Sequence, residues 1–138
     1  MLEPADPVGG WLRIEDRGAV RWLTINRPDR RNAIPMDGWP DLENAILDFG
    51  GSSSRVLVIT GAGGAFCSGA DLDPSRFDGQ PGVEAHHRRM KQVAAAAMAL
   101  HRCTKPTIAV VDGIAAGAGL NLVIGCDVAI ASTRGRFS

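Results

Sequence analysis

Two glycine-rich turns carry the residues whose types and spacing bear on chemistry. One is Gly61 to Gly69, running into Ser68-Gly69-Ala70; the other is Asp112 to Gly119, ending in Gly117-Ala118-Gly119. Each follows a continuous apolar run, Val56 to Ile59 or Thr107 to Val111, and each is expected to lead into a helix. At such a junction backbone N–H groups lack intrahelical partners and the helix dipole favours negative charge, so both turns are candidate anion sites. The commoner phosphate readings fail on residue type. Gly64-Ala65-Phe66-Cys67-Ser68-Gly69 has Walker A spacing, but Ala70-Asp71 stands where Lys-Ser/Thr should follow. Neither turn keeps the G-x-G-x-x-G pattern of a dinucleotide site.

The ionisable residues offer little else. Asp71 is expected to cap a following helix, Asp112 to sit in a turn, and Asp127 to begin a strand. His86, His87 and His101 fall on an arginine-rich helix and read as a solvated or half-buried face. Cys67 beside the first turn reads as a small buried residue, because no histidine is paired with it in the sequence.

Composition narrows the function classes. The 15 Lys and Arg balance 15 Asp and Glu, so no net field draws the chain to nucleic acid or to an anionic membrane. Cys67, Cys103 and Cys126 are odd in number and form no C-x-x-C pair, which argues against a disulfide framework and a zinc site and points to a reducing, cytoplasmic setting. The N-terminus has no basic cluster followed by an apolar run, and the longest apolar stretch, Thr107 to Ile124, is too interrupted for a membrane span. With 45% apolar residues in 138, the chain has enough for one sizeable core.

The elements that must position the turns follow from periodicity. Trp11 to Ile14 and Ala19 to Ile25 read as strands joined by a turn at Glu15 to Gly18, with Val20, Trp22 and Thr24 on the apolar face. A loop carrying Arg27, Arg30 and Arg31 follows, because Pro28 stops the ladder. Met36, Trp39, Leu42, Ile46 and Phe49 recur at helical spacing, which predicts a helix over 39–49; Gly50 and Gly51 should end it. Val56 to Ile59 is a strand buried on both faces, Val83 to His101 the clearest helix, and Thr107 to Val111 another strand. A short helix, Leu120 to Gly125, and a strand, Val128 to Ala131, complete an α/β order.

Three segments together resemble the crotonase superfamily, the enoyl-CoA hydratase/isomerase group. They are Asn26-Arg27-Pro28 through Arg31-Asn32-Ala33-Ile34, Val56 to Gly61 with Ala65-Phe66-Cys67-Ser68-Gly69-Ala70-Asp71-Leu72, and Lys105-Pro106-Thr107 to Gly119 with Cys126-Asp127. The resemblance implies a spiral of β-β-α units, as in the ClpP/crotonase fold, truncated before the C-terminal helical segment. Residues 1–10 would be a disordered tail and 11–138 a partial domain. It also implies that the N–H groups of Ala70 and Ala118 form an oxyanion hole for an acyl-CoA thioester, each donor worth roughly 3–4 kcal/mol in the transition state. Arg31, Ser68, Ala70 and Leu72 would lie along coenzyme A, with Arg27 and Arg30 also near its phosphates. The thioester is substrate, and no permanently bound cofactor is implied.

Where hydratases of the family place the first of two glutamates, this chain has Asn121, which can orient water but not take its proton. The second would fall about three residues beyond Ser138. Asp73 stands where many relatives carry Lys or Arg. The resemblance therefore implies a hydratase or isomerase, with a non-catalytic acyl-CoA binder or a remnant needing a second chain as alternatives. A homotrimer or hexamer, and possible pairing with a separate C-terminal half, are the partners it implies.

Overall fold

The computed structural model describes residues 9–73 and 82–138, so most of the expected 1–10 tail lies outside the described residues. Strands β1 (Leu12–Arg17) and β2 (Val20–Ile25) form an antiparallel hairpin, closed by Gly18-Ala19 with Gly18 at φ 60°. The turn is tighter than the sequence predicts. Glu15 and Asp16 stay in the ladder, where Asp16 faces Arg21 and accepts two bonds of 2.8 Å from its guanidinium. The inward face is also the opposite one: Leu23 and Ile25 are fully buried with Leu12, while Val20, Trp22 and Thr24 are only partly covered. Trp22 instead packs beneath the Arg17 guanidinium, 4.9 Å from the ring centre.

Helix α1 (Trp39–Gly51) buries Trp39, Leu42, Ala45, Ile46 and Phe49, the face read from periodicity, and Pro40 sits harmlessly in its first turn. It runs through Gly50 and Gly51 instead of stopping before them. The Lys105 ammonium explains the extension, donating to the carbonyls of Phe49 (3.1 Å), Ser52 (2.7 Å) and Ser54 (3.0 Å) at the negative end of the helix.

Strand β3 (Val56–Gly61) lies parallel to β2 and to β4 (Thr107–Val111), with Leu57 opposite Thr107 and Ile59 opposite Ala109. The two apolar runs are thus adjacent parallel strands, as the sequence predicts. Leu57, Val58 and Ile59 are all buried, whereas β4 buries only alternate residues. Helix α2 spans Val83–His101 and packs between α1 and α3 (Ala118–Gly125).

A second layer was not legible in the pattern. After β4 the chain makes β5 (Ile114–Ala115), which pairs in parallel with β7 (Arg136–Phe137), while β6 (Val128–Ala131) pairs in parallel with β4. Cys67 bridges Ala115 in the same sense. Each repeat therefore sets one strand in the large sheet, ordered β1-β2-β3-β4-β6, then a shorter one in the small layer, then a helix. Asp127 fixes the last register: its carboxylate accepts from the Thr107 N–H (2.8 Å) and hydroxyl (3.0 Å). Strand β6 forms the far edge and is exposed along its whole length, with Val128 and Ile130 more than half open.

Candidate functional site

The first wall of the site is the loop after β2. Pro28–Arg30 forms one 3-10 turn, after which Arg31 (φ 50°) and Asn32 (φ 57°) take left-handed conformations in succession. The buried Asn32 side chain holds this shape. Its Oδ1 accepts from the Arg27 N–H (2.8 Å), and its Nδ2 donates to the carbonyls of Ala62 (2.8 Å) and Ala65 (2.7 Å), tying the loop to the first glycine turn. All the hydrogen-bonding capacity of the amide nitrogen is used.

Arg27 and Asp71 lock the same loop to the far end of that turn. Both Nη atoms of Arg27 lie 3.0 Å from Asp71 Oδ2, Nη1 also donates to the Ala33 carbonyl (2.6 Å), and the two side chains are 13% and 7% exposed. This corrects one expectation: Arg27 is committed to a carboxylate and is not held out for phosphate. Asp71 Oδ1 also accepts from the Asp73 N–H (3.2 Å), and the helix it was expected to cap lies outside the described residues. Arg30 pairs with Asp73 at 3.2 Å. Arg31, with φ 50°, projects from an exposed position.

Between these walls the 66–71 segment is held on both sides. Phe66 and Cys67 N–H donate to the Ile114 carbonyl (3.0 Å each), and Ala116 N–H donates back to Cys67 (3.0 Å). On the other side Ser68 N–H meets the Arg31 carbonyl (3.0 Å), Ile34 N–H the Gly69 carbonyl (2.8 Å), and Asp71 N–H the Ile34 carbonyl (2.8 Å). The Ala70 N–H is left with no acceptor among the described residues. Ala70 does not open a helix, contrary to expectation: it forms an isolated parallel bridge with Ile34, as Cys67 does with Ala115, and residues 71–73 take no regular structure.

Ala118 does open one. It is the first residue of α3, after Gly117 at φ 53°, and its N–H likewise has no acceptor among the described residues. A side chain at Gly119 would collide with the Cys67 backbone, so glycine there lets α3 press against the first turn. Gly69, at φ 105°, performs the same service from the other side: a Cβ there would lie 3.4 Å from Ala118 N. The two turns are thus in van der Waals contact, each contributing one unbonded amide. The Gly117 N–H donates to the Ser138 carbonyl at 2.9 Å, which brings the end of the small layer to the same spot.

The other expected residues are arranged around this pair. Arg31 and Ser68 are joined through the backbone, the Ser68 hydroxyl lies 3.4 Å from the Arg30 carbonyl, and Leu72 is 67% exposed. Asn121 is exposed and lines a groove of about 420 Å³ between α2 and α3, shared with Ala97, Met98, His101 and Ile124. Ala70 does not line that groove. The three histidines are exposed. Burial pushes the fully covered Cys67 thiol up to about 12, which leaves no thiolate for nucleophilic attack near neutrality. Among the described residues no three His, Cys, Asp or Glu side chains gather as a metal site, and no helix is long and apolar enough to cross a membrane. Asn32, the Arg27–Asp71 pair and Lys105 were not singled out from sequence; their signal was a polar residue inside each motif with no other work to do.

Parallel strands advancing one per repeat in two layers, with facing turns that each present an amide, define a crotonase-type α/β protein. Residues 15–138 match the family described as enoyl-CoA hydratase/isomerase, and the chain belongs to that family. The probable enoyl-CoA hydratase EchA14 of Mycobacterium tuberculosis is 42% identical over 119 residues, covering 86% of this chain and 45% of the relative. The peroxisomal Delta(3,5)-Delta(2,4)-dienoyl-CoA isomerase of Arabidopsis thaliana is 33% identical over 137 residues, covering 92% and 49%. Among solved structures, an enoyl-CoA hydratase from Mycobacterium smegmatis superposes with a TM-score of 0.84 at 33% identity, covering 93% of this chain and 50% of that one. The chain spans about half the length of the relatives it matches.

Proposed function

We propose that this chain takes part in acyl-CoA chemistry of the hydratase or isomerase type, its Ala70 and Ala118 N–H groups receiving the thioester oxygen. The observation that carries this reading is the pair of amides left without acceptors among the described residues, on two turns in contact. When a proton leaves the carbon next to the thioester, or a nucleophile adds one carbon further on, negative charge collects on that oxygen. Donors fixed in advance at hydrogen-bond distance stabilise this charge without reorganisation. The strip formed by Arg31, Ser68 and Leu72 is open to solvent beside Ala70 and fits the coenzyme A moiety, which enters as part of the substrate.

Proton transfer needs a group beyond these. Asn121 can orient a water, and a carboxylate must come from elsewhere. Because the Ser138 carbonyl bonds to Gly117, a residue about three further along an extended strand would lie within roughly 10 Å of the Ala118 turn. The open β6 edge fits a following segment or a separate C-terminal half, and the family resemblance supports a trimer or hexamer. The unshared cysteines fit a cytoplasmic setting. A non-catalytic acyl-CoA binder is the second reading, favoured by Asn121 at the first glutamate position.

The test exploits the position of Ala118. Proline is tolerated at the first helical residue, so Ala118→Pro removes the N–H while keeping α3. Calorimetry with a short trans-2-enoyl-CoA should show about tenfold weaker binding for this variant at unchanged circular dichroism, and hydration by the parent chain should be negligible beside ordinary enzymes at about 1–10³ s⁻¹. Equal affinity for parent and variant would remove Ala118 from the site. Rapid hydration by the parent chain would exclude the binder reading and show that the acid and base lie within these residues.

A further inference from the structure

We propose that Cys103 and Cys126 form a dithiol pair that a low-molecular-weight disulfide converts to an intramolecular disulfide, tethering the C-terminal ends of α2 and α3. The pair stands on how the chain is braced around it. Cys103 follows α2 by two residues, with its N–H on the Leu100 carbonyl at 3.1 Å, and Cys126 directly follows α3. On one side of the two cysteines, Leu100 and Gly125 touch: a Cβ on Gly125 would lie 3.3 Å from that of Leu100. On the other side, Asp127 N–H meets the Thr107 carbonyl at 3.0 Å. Both thiols pack against the same core, and both are free. The segments that carry them are therefore held together at both ends.

The two sulfurs differ in access. Cys103 lines a solvent-open groove of about 380 Å³ between α1 and α2, with Leu47, Met98 and Arg102. Burial and the neighbouring Asp127 and Cys103 charges push the Cys126 thiol up to about 12, although a Thr107 hydrogen bond opposes them. Cys103 is then the first nucleophile. Its thiolate attacks one sulfur of the small disulfide RSSR, forming a mixed disulfide and releasing RS⁻. The Cys126 sulfur next attacks the Cys103 sulfur, its proton passing to the second departing RS⁻. The sum is two protein thiols and one RSSR giving one protein disulfide and two RSH, so the protein loses two hydrogens. Cys67, fully buried against Gly119 in α3's first turn, at the far end of that helix from Cys126, takes no part.

The experiment is incubation of the folded 138-residue chain with oxidised glutathione, followed by blocking of free thiols and peptide mapping under non-reducing conditions. The expected product is a monomer lighter by two hydrogens, with Cys103 joined to Cys126, Cys67 blocked, and the link lost on addition of a reductant. The same treatment in concentrated urea should scatter the linkage among all three cysteines. A product that stops at glutathionylated Cys103, joins two chains or involves Cys67 would overturn the proposal. So would an equal yield of the Cys103–Cys126 link in the folded and unfolded chains, because the fold would then contribute nothing.

Discussion

Gly69 stands edge-on to Ala118: a β-carbon on Gly69 would lie 3.4 Å from the Ala118 nitrogen and 3.1 Å from the Ala116 carbonyl oxygen. That spacing sets the distance between the two unbonded amides. Gly69→Ala would force the turns apart and also strain a residue at φ 105°, at about 1–3 kcal/mol. The expected outcome is a lower urea midpoint and at least about tenfold weaker acyl-CoA binding by calorimetry, since one donor is moved out of line. A variant that loses stability but keeps full affinity would show that the contact is structural only.

Arg27 and Asp71 should behave as a buried pair. Asp71→Asn leaves the guanidinium without its counter-charge at a site only 13% exposed, and loss of one partner of such a pair destabilises by about 3–5 kcal/mol. Arg27→Met combined with Asp71→Leu should recover part of that loss, because no charge is then left buried. Urea denaturation of the parent, Arg27→Met, Asp71→Leu and the double variant closes the cycle. Additive losses would mean that the two residues do not work through each other.

The buried thiols predict alkaline sensitivity. Cys67 and Cys126 are pushed from 9.0 to about 12 chiefly by burial, so the folded chain keeps protons that the unfolded chain gives up. Their contribution is present in full below pH 9.0 and fades as the pH rises towards about 12, at about 1.4 kcal/mol per pH unit for each thiol. Unfolding free energies from urea titrations should be level below pH 9.0 and fall with this slope above it, and Cys126→Ala should flatten the fall. An identical slope in that variant would assign the effect to other groups.

The open edge should be sticky. Val128 and Ile130 are 51% and 56% exposed on an edge strand whose outer hydrogen-bonding groups face solvent, and unprotected edges of this kind recruit further strands. Ile130→Lys places a charge on the edge and should reduce self-association of the chain, as read by sedimentation velocity at several concentrations. The thioester affinity should not change, because Ile130 lies on the outer strand, paired with Val110 of β4. Equal association in parent and variant would locate the contact elsewhere.

Much of this architecture was legible in the sequence because it rests on periodicity. Helix α2 and strands β4 and β6 lie where the apolar pattern puts them: α2 and β4 each bury a defined face, and β6, though exposed, is a continuous apolar run. The small layer was not legible: β5 and β7 are two residues each, too short for any period, and are fixed by partners more than twenty residues away. The inward face of β2 was misread because Val20, Trp22 and Thr24 have the apolar look of a core stripe, while the hairpin register turns Leu23 and Ile25 inwards. The two glycine turns were found from residue type, but their contact was not. It depends on the absence of a side chain at Gly69 and Gly119, which shows only when the neighbouring backbone is in view.

The bond from Gly117 N–H to the Ser138 carbonyl has a practical corollary for anyone handling this protein. Position 138 is held against the turn that carries Ala118, so a spectroscopic probe tethered there would sense any ligand that reaches the Ala118 amide and report the contact proposed above directly.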